Sequence, residues 1–198
     1  MKGGHHPLAY ARVCLRLALQ RPVEPLARLG LHGVASRERV TGVSLGNRSF
    51  HGRFDAPGFP VLYAAEDLVT CEAEITHHLM THYLAHAGPK PRVFTCQVLQ
   101  VPLSGLFDDL RRPDRASLCA PTAKAYPAAR AYAWAAFEAD LDGLLYPSPR
   151  HPGGTCIARF LPSGMRIHTT VAGEKSFRWN GNKMMKNLCP LRPLRLIH

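Results

Sequence analysis

The stretch "GRFDAPGFPVLYAAEDLVTCEAEITHHL", residues 52–79, predicts a turn, a strand and a helix in direct succession. Pro and Gly residues precede the short apolar run "PVLYAA", which is the pattern of a buried strand. A helix is predicted from about Asp67 to His86, because an aspartate suits the helix start and "AGPKP" suits its end. Three candidate functional side chains follow one another along this stretch at intervals of ten and eleven residues: Arg53, Tyr63 and Glu74.

The rest of the chain alternates strand and helix patterns without a repeat. "RVFTCQVLQVP" and the later "GLLYPS" and "TCIARFLP" read as strands, and the Ala-rich "AKAYPAARAYAWAAFEADLDG" reads as a helix. The segment up to about residue 48 is expected to be loop with short helices, and residues 102–122 are expected to be irregular. No GxGxxG or GxxxxGK[ST] motif occurs. These patterns predict a mixed α/β or α+β domain, not a doubly wound nucleotide fold.

Composition indicates one compact globular domain. The chain has 198 residues, of which 46% are hydrophobic, and no apolar run approaches the length of a membrane span. Its first thirty residues do not resemble a signal peptide, so we expect a cytoplasmic protein. The cysteines are too far apart for CxxC pairs and are expected to be reduced thiols. They are Cys14, Cys71, Cys96, Cys119, Cys156 and Cys189.

The net charge of +11 is concentrated at the two ends of the chain. Residues 1–54 carry +7 and residues 163–198 carry +6, whereas residues 55–162 carry −2. Basic ends suit nucleic acid, an acidic protein or a phosphate-bearing ligand, and charge alone does not choose among them. The aromatic residues of "KSFRWNGNK" could stack on bases, so a basic nucleic-acid-binding module is the non-enzyme alternative.

The predicted helix carries two carboxylates near its apolar stripe. On a helical wheel Glu74 flanks one side of the stripe and Glu72 lies near the opposite border. The wheel therefore does not show which carboxylate, if either, acts chemically. The stripe itself consists of Leu68, Cys71, Ile75 and Leu79.

The same helix carries His78, His82 and His86 at four-residue intervals. Two of these imidazoles could share a metal ion, but a usable site needs further ligands in fixed geometry. Neither an HExxH motif nor a second compact ligand cluster appears in the sequence. No metal site is therefore predicted.

Several motifs in the same order resemble the RES family, which is named for its Arg, Glu and Ser residues. "GRFDAPGFPVLY" resembles the family's Gly-Arg-aromatic turn and Leu-Tyr strand, and Glu74 and His78 match the helix that follows. "DGLLYPSPRHPGGTCIARF" resembles the family's late Tyr-Pro-Ser segment and places Ser148 in the serine position. The motifs cover roughly residues 45–161. Two positions depart from the family pattern: Phe54 stands where Trp is common, and Asp55 where Asn is common.

The resemblance implies an NAD-consuming toxin of a bacterial toxin–antitoxin module, similar in fold to ADP-ribosyltransferases. It implies a single mixed α/β domain whose central sheet is split around an NAD cleft. Residues 41–165 would form the catalytic core, residues 1–40 a basic N-terminal segment of the same domain or an extension, and residues 166–198 a basic C-terminal extension. The expected partners are NAD and a cognate antitoxin, typically Xre-like. Neither membrane binding nor direct nucleic-acid binding is expected.

The resemblance also implies a role for each site residue, and the chemistry of the side chains fits those roles. Glu74 would stabilise positive charge on the ribose while the nicotinamide bond breaks, and Arg53 would bind phosphate. Tyr63 would pack against a ring of NAD and present its hydroxyl, and Ser148 would bind the ribose or the nicotinamide amide. NAD is the substrate, and no other cofactor is expected. Water, phosphate or a target protein could accept the ADP-ribosyl group, so glycohydrolase, phosphorylase and ADP-ribosyltransferase activities stay open.

Overall fold

The structure, a computed structural model, describes residues 7–19, 52–56, 59–84, 90–162, 165 and 167–186. Its strands are β1 (Pro7–Leu19), β2 (Val61–Ala65), β3 (Arg92–Asp109), β4 (Gly143–Pro147), β5 (Thr155–Phe160), β6 (Thr170–Trp179) and β7 (Met184–Lys186). Its α-helices are α1 (Leu68–His78), α2 (Ala116–Cys119) and α3 (Tyr126–Glu138). A π-helical segment (Leu79–Leu84) continues α1, and two 3₁₀ turns span Pro113–Arg115 and Ala123–Ala125.

All seven strands in the described ranges belong to one sheet, which branches at β3. The strand order is β1-β2-β5-β4-β3-β6-β7, and a further pairing of β1 with β3 closes the first five strands into a ring. β1 lies along one edge of β3, while the other edge pairs with β6 at residues 92–100 and with β4 at residues 107–109. The sheet therefore divides into a β4–β5–β2 arm and a β6–β7 arm. This architecture confirms the predicted mixed α/β domain.

Two apolar clusters lie on opposite faces of the strand ring. One cluster lies on the inner face of the ring, away from the helices. It consists mainly of alternate side chains from β2, β3, β4 and β5, because alternate residues of a strand point to the same face. The other cluster lies between the outer face and helices α1 and α3. Tyr63, Tyr146 and Cys156 point to this outer face, so β2, β4 and β5 carry them under the helices. The members of the first cluster are Leu62, Ala64, Leu99, Val101, Leu103, Phe107, Leu145, Ile157 and Leu161.

Helix α1 forms where the sequence predicts it and buries the predicted stripe. The Asp67 carboxylate accepts a hydrogen bond from the backbone N–H of Thr70 and so caps the helix start. Cys71 and Leu79 are buried, and Leu68 and Ile75 pack against the same cluster. The helix was predicted to run to His86, but α-helical geometry ends at His78 and the π-helical segment ends at Leu84.

Three segments differ from the sequence prediction. Residues 102–122 were expected to be irregular, but β3 continues through Asp109 because burial still alternates along the strand. The aromatic residues of "KSFRWNGNK" were considered as stacking groups, but Phe177 and Trp179 are buried on β6. The predicted boundary at residue 165 falls between β5 and β6 of one sheet. In the predicted N-terminal loop region, residues 7–19 form β1, and the remainder lies outside the described residues.

The described cysteines agree with the prediction of reduced thiols. Cys71, Cys96, Cys119 and Cys156 are all free and buried. Burial raises the pKa of the Cys96 thiol to about 12, so it stays protonated at neutral pH. In the described ranges, no helix combines the length and apolar character needed to cross a membrane.

Candidate active site

The turn before β2 is held by hydrogen bonds that use both roles of the Tyr63 hydroxyl. This hydroxyl donates to Asp55 Oδ1 and accepts from the backbone N–H of Phe54, each at 3.0 Å. The other Asp55 oxygen accepts from the Gly52 N–H at 2.7 Å. A Cβ atom on Gly52 would lie 2.3 Å from the Tyr63 hydroxyl oxygen, so only glycine fits there. The contacts fix the backbone on both sides of Arg53 and give Asp55, a departure from the family pattern, a structural role.

Burial is the main reason why the pKa of Tyr63 is raised well above its ordinary value, and the charge of Asp55 raises it further. The phenol is therefore neutral at physiological pH. Because its hydroxyl already donates a hydrogen bond to Asp55, Tyr63 stabilises the turn in this structure. The predicted presentation of its hydroxyl to a ligand requires exchange of that hydrogen bond.

Arg53 is a buried cation, with only 9% of the residue exposed. Its guanidinium donates a hydrogen bond to the carbonyl of Cys119 and lies 5.7 Å from the centre of the Tyr126 ring. Among the residues that the structure describes, no carboxylate lies within ion-pair distance of it. A buried charge that lacks a counter-ion favours binding of an anion.

A second arginine approaches the same ring from α3. Arg130 also lies 5.7 Å from the centre of the Tyr126 ring, and it donates to the carbonyl of Gly52 at 3.2 and 3.1 Å. The start of α3 is thereby attached to the turn that carries Arg53. Sequence reasoning missed both Tyr126 and Arg130, because within the Ala-rich helix pattern they look like ordinary surface residues.

Glu74 and Ser148 are brought together from α1 and from the end of β4. The Ser148 hydroxyl donates to Glu74 Oε1 at 2.6 Å and accepts from the N–H groups of Arg150 and His151 at 3.1 and 3.0 Å. The Cys156 thiol also donates to Oε1, at 3.8 Å. A hydroxyl has one proton and two lone pairs, so Ser148 is a donor to Glu74 in this arrangement. Within the described part of the chain, no hydrogen bond reaches the other oxygen, Oε2.

Tyr146 connects the two halves of the site. Its buried ring packs edge-on against Phe54, with ring centres 4.9 Å apart. Burial raises its pKa well above the ordinary value, so the phenol is neutral. Tyr146 belongs to the Tyr-Pro-Ser motif, but no role was predicted for it from the sequence. Four side chains of the site lie close enough to act on it electrostatically: Cys156, Tyr63, Glu74 and Arg53.

The structure thus places the four predicted residues in one neighbourhood and separates the two carboxylates that the helical wheel left undecided. Glu72 is buried and forms an ion pair with Lys175 of β6, with 2.8 Å between Nζ and Oε1. Glu74 remains partly exposed beside Ser148. The roles assigned to Arg53, Tyr63, Glu74 and Ser148 stay predictions.

Of the three histidines at four-residue intervals on the predicted helix, His78 is exposed at the end of α1. The side chains of His82 and His86 lie outside the described residues. In the part of the chain that is described, no three His, Cys, Asp or Glu side chains are grouped as a metal site requires.

Comparison with known proteins adds a family and a fold. The family model described as "RES domain" matches residues 25–180. Among solved structures, a chain of the M. tuberculosis MbcT–MbcA toxin–antitoxin complex is similar, with a TM-score of 0.51 and 17% sequence identity. The match covers 83% of this chain and 86% of that chain, and at this identity it shows a shared fold. None of the curated proteins matches the sequence.

Proposed function

The chain belongs to the RES domain family, and from that membership we propose that it is the toxin of a toxin–antitoxin module and cleaves the nicotinamide–ribose bond of NAD. One observation carries the proposal. A carboxylate held through one oxygen, with its second oxygen open, lies in the same neighbourhood as a buried arginine that lacks a described counter-ion. Such a pair suits a substrate that is anionic at its diphosphate and becomes cationic at its ribose.

Glu74 supplies the negative charge that bond cleavage requires. As the bond from the anomeric carbon to the nicotinamide nitrogen breaks, its electron pair leaves with nicotinamide and positive charge develops on the ribose. A fixed carboxylate stabilises that charge without having to reorganise. The donors Ser148 and Cys156 both hold Oε1 and leave Oε2 for the ribose. Neither donor is a cation, so the negative charge of the carboxylate is retained for the substrate.

Arg53 supplies the anchor for the diphosphate. Its guanidinium is always charged and can bind two phosphate oxygens at once, which a lysine ammonium does poorly. The ring of Tyr126 and the hydrogen bonds of the Gly52 turn fix its position in advance. Preorganisation of this kind places the scissile bond relative to Glu74.

The acceptor of the ADP-ribosyl group determines the reaction type. Water gives ADP-ribose, inorganic phosphate gives ADP-ribose phosphate, and a nucleophilic side chain gives a modified protein. In each case the acceptor forms the new bond to the anomeric carbon and loses a proton. NAD degradation is our leading reaction, and ADP-ribosylation of a specific cellular protein is the second candidate.

Incubation of the purified protein with NAD, with and without phosphate, tests the proposal when products are identified by mass spectrometry. We expect nicotinamide release, with a second product that identifies the acceptor. If no nicotinamide is released, the chain is not an NAD-cleaving enzyme. Binding of labelled DNA or RNA by the same preparation would then favour the basic nucleic-acid-binding module.

A second experiment addresses the toxin role. Expression of the intact chain in bacterial cells is expected to lower cellular NAD and arrest growth, and co-expression of an antitoxin that covers the cleft is expected to prevent both. We expect an antitoxin of Xre-like type, as the family resemblance implies. Growth arrest with unchanged NAD would favour modification of a protein target.

A further inference from the structure

Three side chains outside the predicted site form a continuous hydrogen-bonded relay. Thr70 Oγ1 lies 2.7 Å from Asp67 Oδ2 and 2.8 Å from His151 Nδ1. Asp67 is the capping residue of α1, and His151 belongs to the loop between β4 and β5 that carries Ser148. Thr70 is completely buried, so water does not compete for its hydroxyl. The relay therefore joins the start of α1 to the Ser148 loop.

The single hydroxyl proton of Thr70 fixes the direction of the relay. Burial alone would raise the pKa of Asp67, but the hydrogen bonds from Thr70 and the charge of nearby His151 outweigh burial and lower it. Asp67 is thus ionised at neutral pH and accepts a hydrogen bond from the Thr70 hydroxyl. Thr70 can then only accept from His151, which must carry a proton on Nδ1.

The loop can approach Thr70 because residue 154 is glycine. A Cβ atom on Gly154 would lie 2.3 Å from Thr70 Oγ1 and 2.7 Å from His151 Nδ1. The carbonyl of Gly154 accepts from the Ser148 N–H, and the Gly154 N–H donates to the carbonyl of His151, both at 2.9 Å. The side-chain relay and these backbone hydrogen bonds together determine where the loop places Ser148.

We propose that Asp67, Thr70 and His151 are positioning residues for Glu74. The relay holds the backbone N–H of His151, next to that of Arg150, against the two lone pairs of the Ser148 hydroxyl. The single proton of the Ser148 hydroxyl then points to Glu74 Oε1, and the carboxylate is fixed with Oε2 open. This inference rests on the proposed function, because it assigns the relay to the same carboxylate.

Substitutions at Thr70 test the relay through nicotinamide release. Thr70→Val removes the hydroxyl at nearly constant volume, and Thr70→Ser keeps it. We expect Thr70→Val to lower kcat about tenfold with KM changed less than about twofold, the size expected when one hydrogen bond to a charged group is lost. Thr70→Ser should recover most of that loss. Thr170→Val, the same change at an exposed residue of β6, is the matched control.

Substitutions at His151 give a second test that does not require Thr70 variants to fold. An asparagine side chain can place its N–H group near the position of Nδ1, whereas alanine cannot donate. His151→Ala should lower kcat as Thr70→Val does, and His151→Asn should recover most of it. Equal and near-normal kcat for folded Thr70→Val and His151→Ala proteins would overturn the proposal.

The ring tautomer of His151 provides a readout that does not depend on NAD. Nitrogen-15 NMR of the neutral His151 ring in the full chain should show the proton on Nδ1 in the wild-type protein and a loss of this preference in Thr70→Val. A wild-type ring protonated on Nε2 would overturn the relay. If the wild-type protein releases no nicotinamide, the proposed function fails instead, and the tautomer still tests the relay.

Discussion

Glu72 and Glu74 stand two residues apart on α1 and have opposite surroundings. Glu72 is buried against the β6–β7 arm, where the Lys175 ammonium neutralises it. Glu74 is partly exposed above the β4–β5–β2 arm, where the donors described for it are a hydroxyl and a thiol. The charge of Glu72 is thus used to join the helix to one arm of the sheet. The charge of Glu74 is oriented but not neutralised, which is the condition for acting on a substrate.

The strongest test of this contrast is Glu74→Gln. The amide keeps the shape of the side chain and removes its negative charge, so we expect kcat for nicotinamide release to fall by about 10²- to 10³-fold. Thermal unfolding should change little, because Glu74 has no ion pair among the described residues. Near-normal turnover by a folded Glu74→Gln protein, together with a loss in Glu72→Gln, would show that the other carboxylate acts.

Glu72→Gln should produce the reverse pattern. Removal of one partner of a buried ion pair leaves Lys175 without its counter-ion, and we expect the free energy of unfolding to fall by about 3 kcal/mol. Turnover at a temperature where the variant is folded should stay within about twofold of wild type. Urea unfolding measures the stability change. Glu72→Leu combined with Lys175→Met is the control, since an apolar pair should restore much of the stability.

Ser148→Ala should have a smaller effect than Glu74→Gln. Loss of one hydrogen bond to a carboxylate typically costs about 1.5–3 kcal/mol, so we expect kcat to fall about 10- to 100-fold and some activity to remain. Steady-state kinetics measure this effect. An ADP-ribosyl adduct trapped on Ser148 would contradict the positioning role and indicate a nucleophile. Unchanged kinetics would mean that the hydroxyl only closes the turn.

The smallest expected effect concerns the pH dependence of stability at Asp67. Because its folded pKa is lowered, ionised Asp67 stabilises the fold above its unfolded pKa of about 3.9, and this stabilisation is lost as pH falls through the folded value. Asp67→Asn keeps a helix cap but is neutral at every pH. We expect its free energy of unfolding at pH 7 to be about 0.5–1 kcal/mol lower than that of the wild-type protein. In urea titrations the free energies of unfolding of the two proteins should become equal at about pH 2, and a difference that stays constant across pH would exclude an ionic contribution.

Local signals account for the parts of the fold that the sequence predicted. Pro and Gly before an apolar run specify β2, and the Asp67 cap with the stripe from Leu68 to Leu79 specifies α1. Arg53, Tyr63 and Glu74 lie within this short stretch, so their proximity follows from local structure. Ser148 was placed through the family register, because its contact with Glu74 joins distant parts of the chain.

The missed features depend on contacts between segments far apart in sequence. β6 contains charged residues between its buried aromatic residues, and it forms a strand by pairing with β3 and β7. Tyr126 and Arg130 belong to the candidate site because Tyr126 lies against Arg53 and Arg130 binds the Gly52 carbonyl. The helix pattern in the sequence does not indicate either contact. The wheel could not separate Glu72 from Glu74, because their difference lies in Lys175 and Ser148.

The closure of the strand ring also bears on how quickly the protein can acquire its structure. β1 pairs with β3 from Pro7 opposite Asp108 to Leu19 opposite Cys96, so these pairings join residues about 80 to 100 positions apart. Such non-local pairings fold slowly, because the entropy of closing a long loop must be overcome before contacts form. β4 and Ser148 follow still later in the chain. During synthesis, Arg53 and Glu74 therefore leave the ribosome before the partners that complete the candidate site, and we expect a newly made chain to lack that site until its later strands join the sheet.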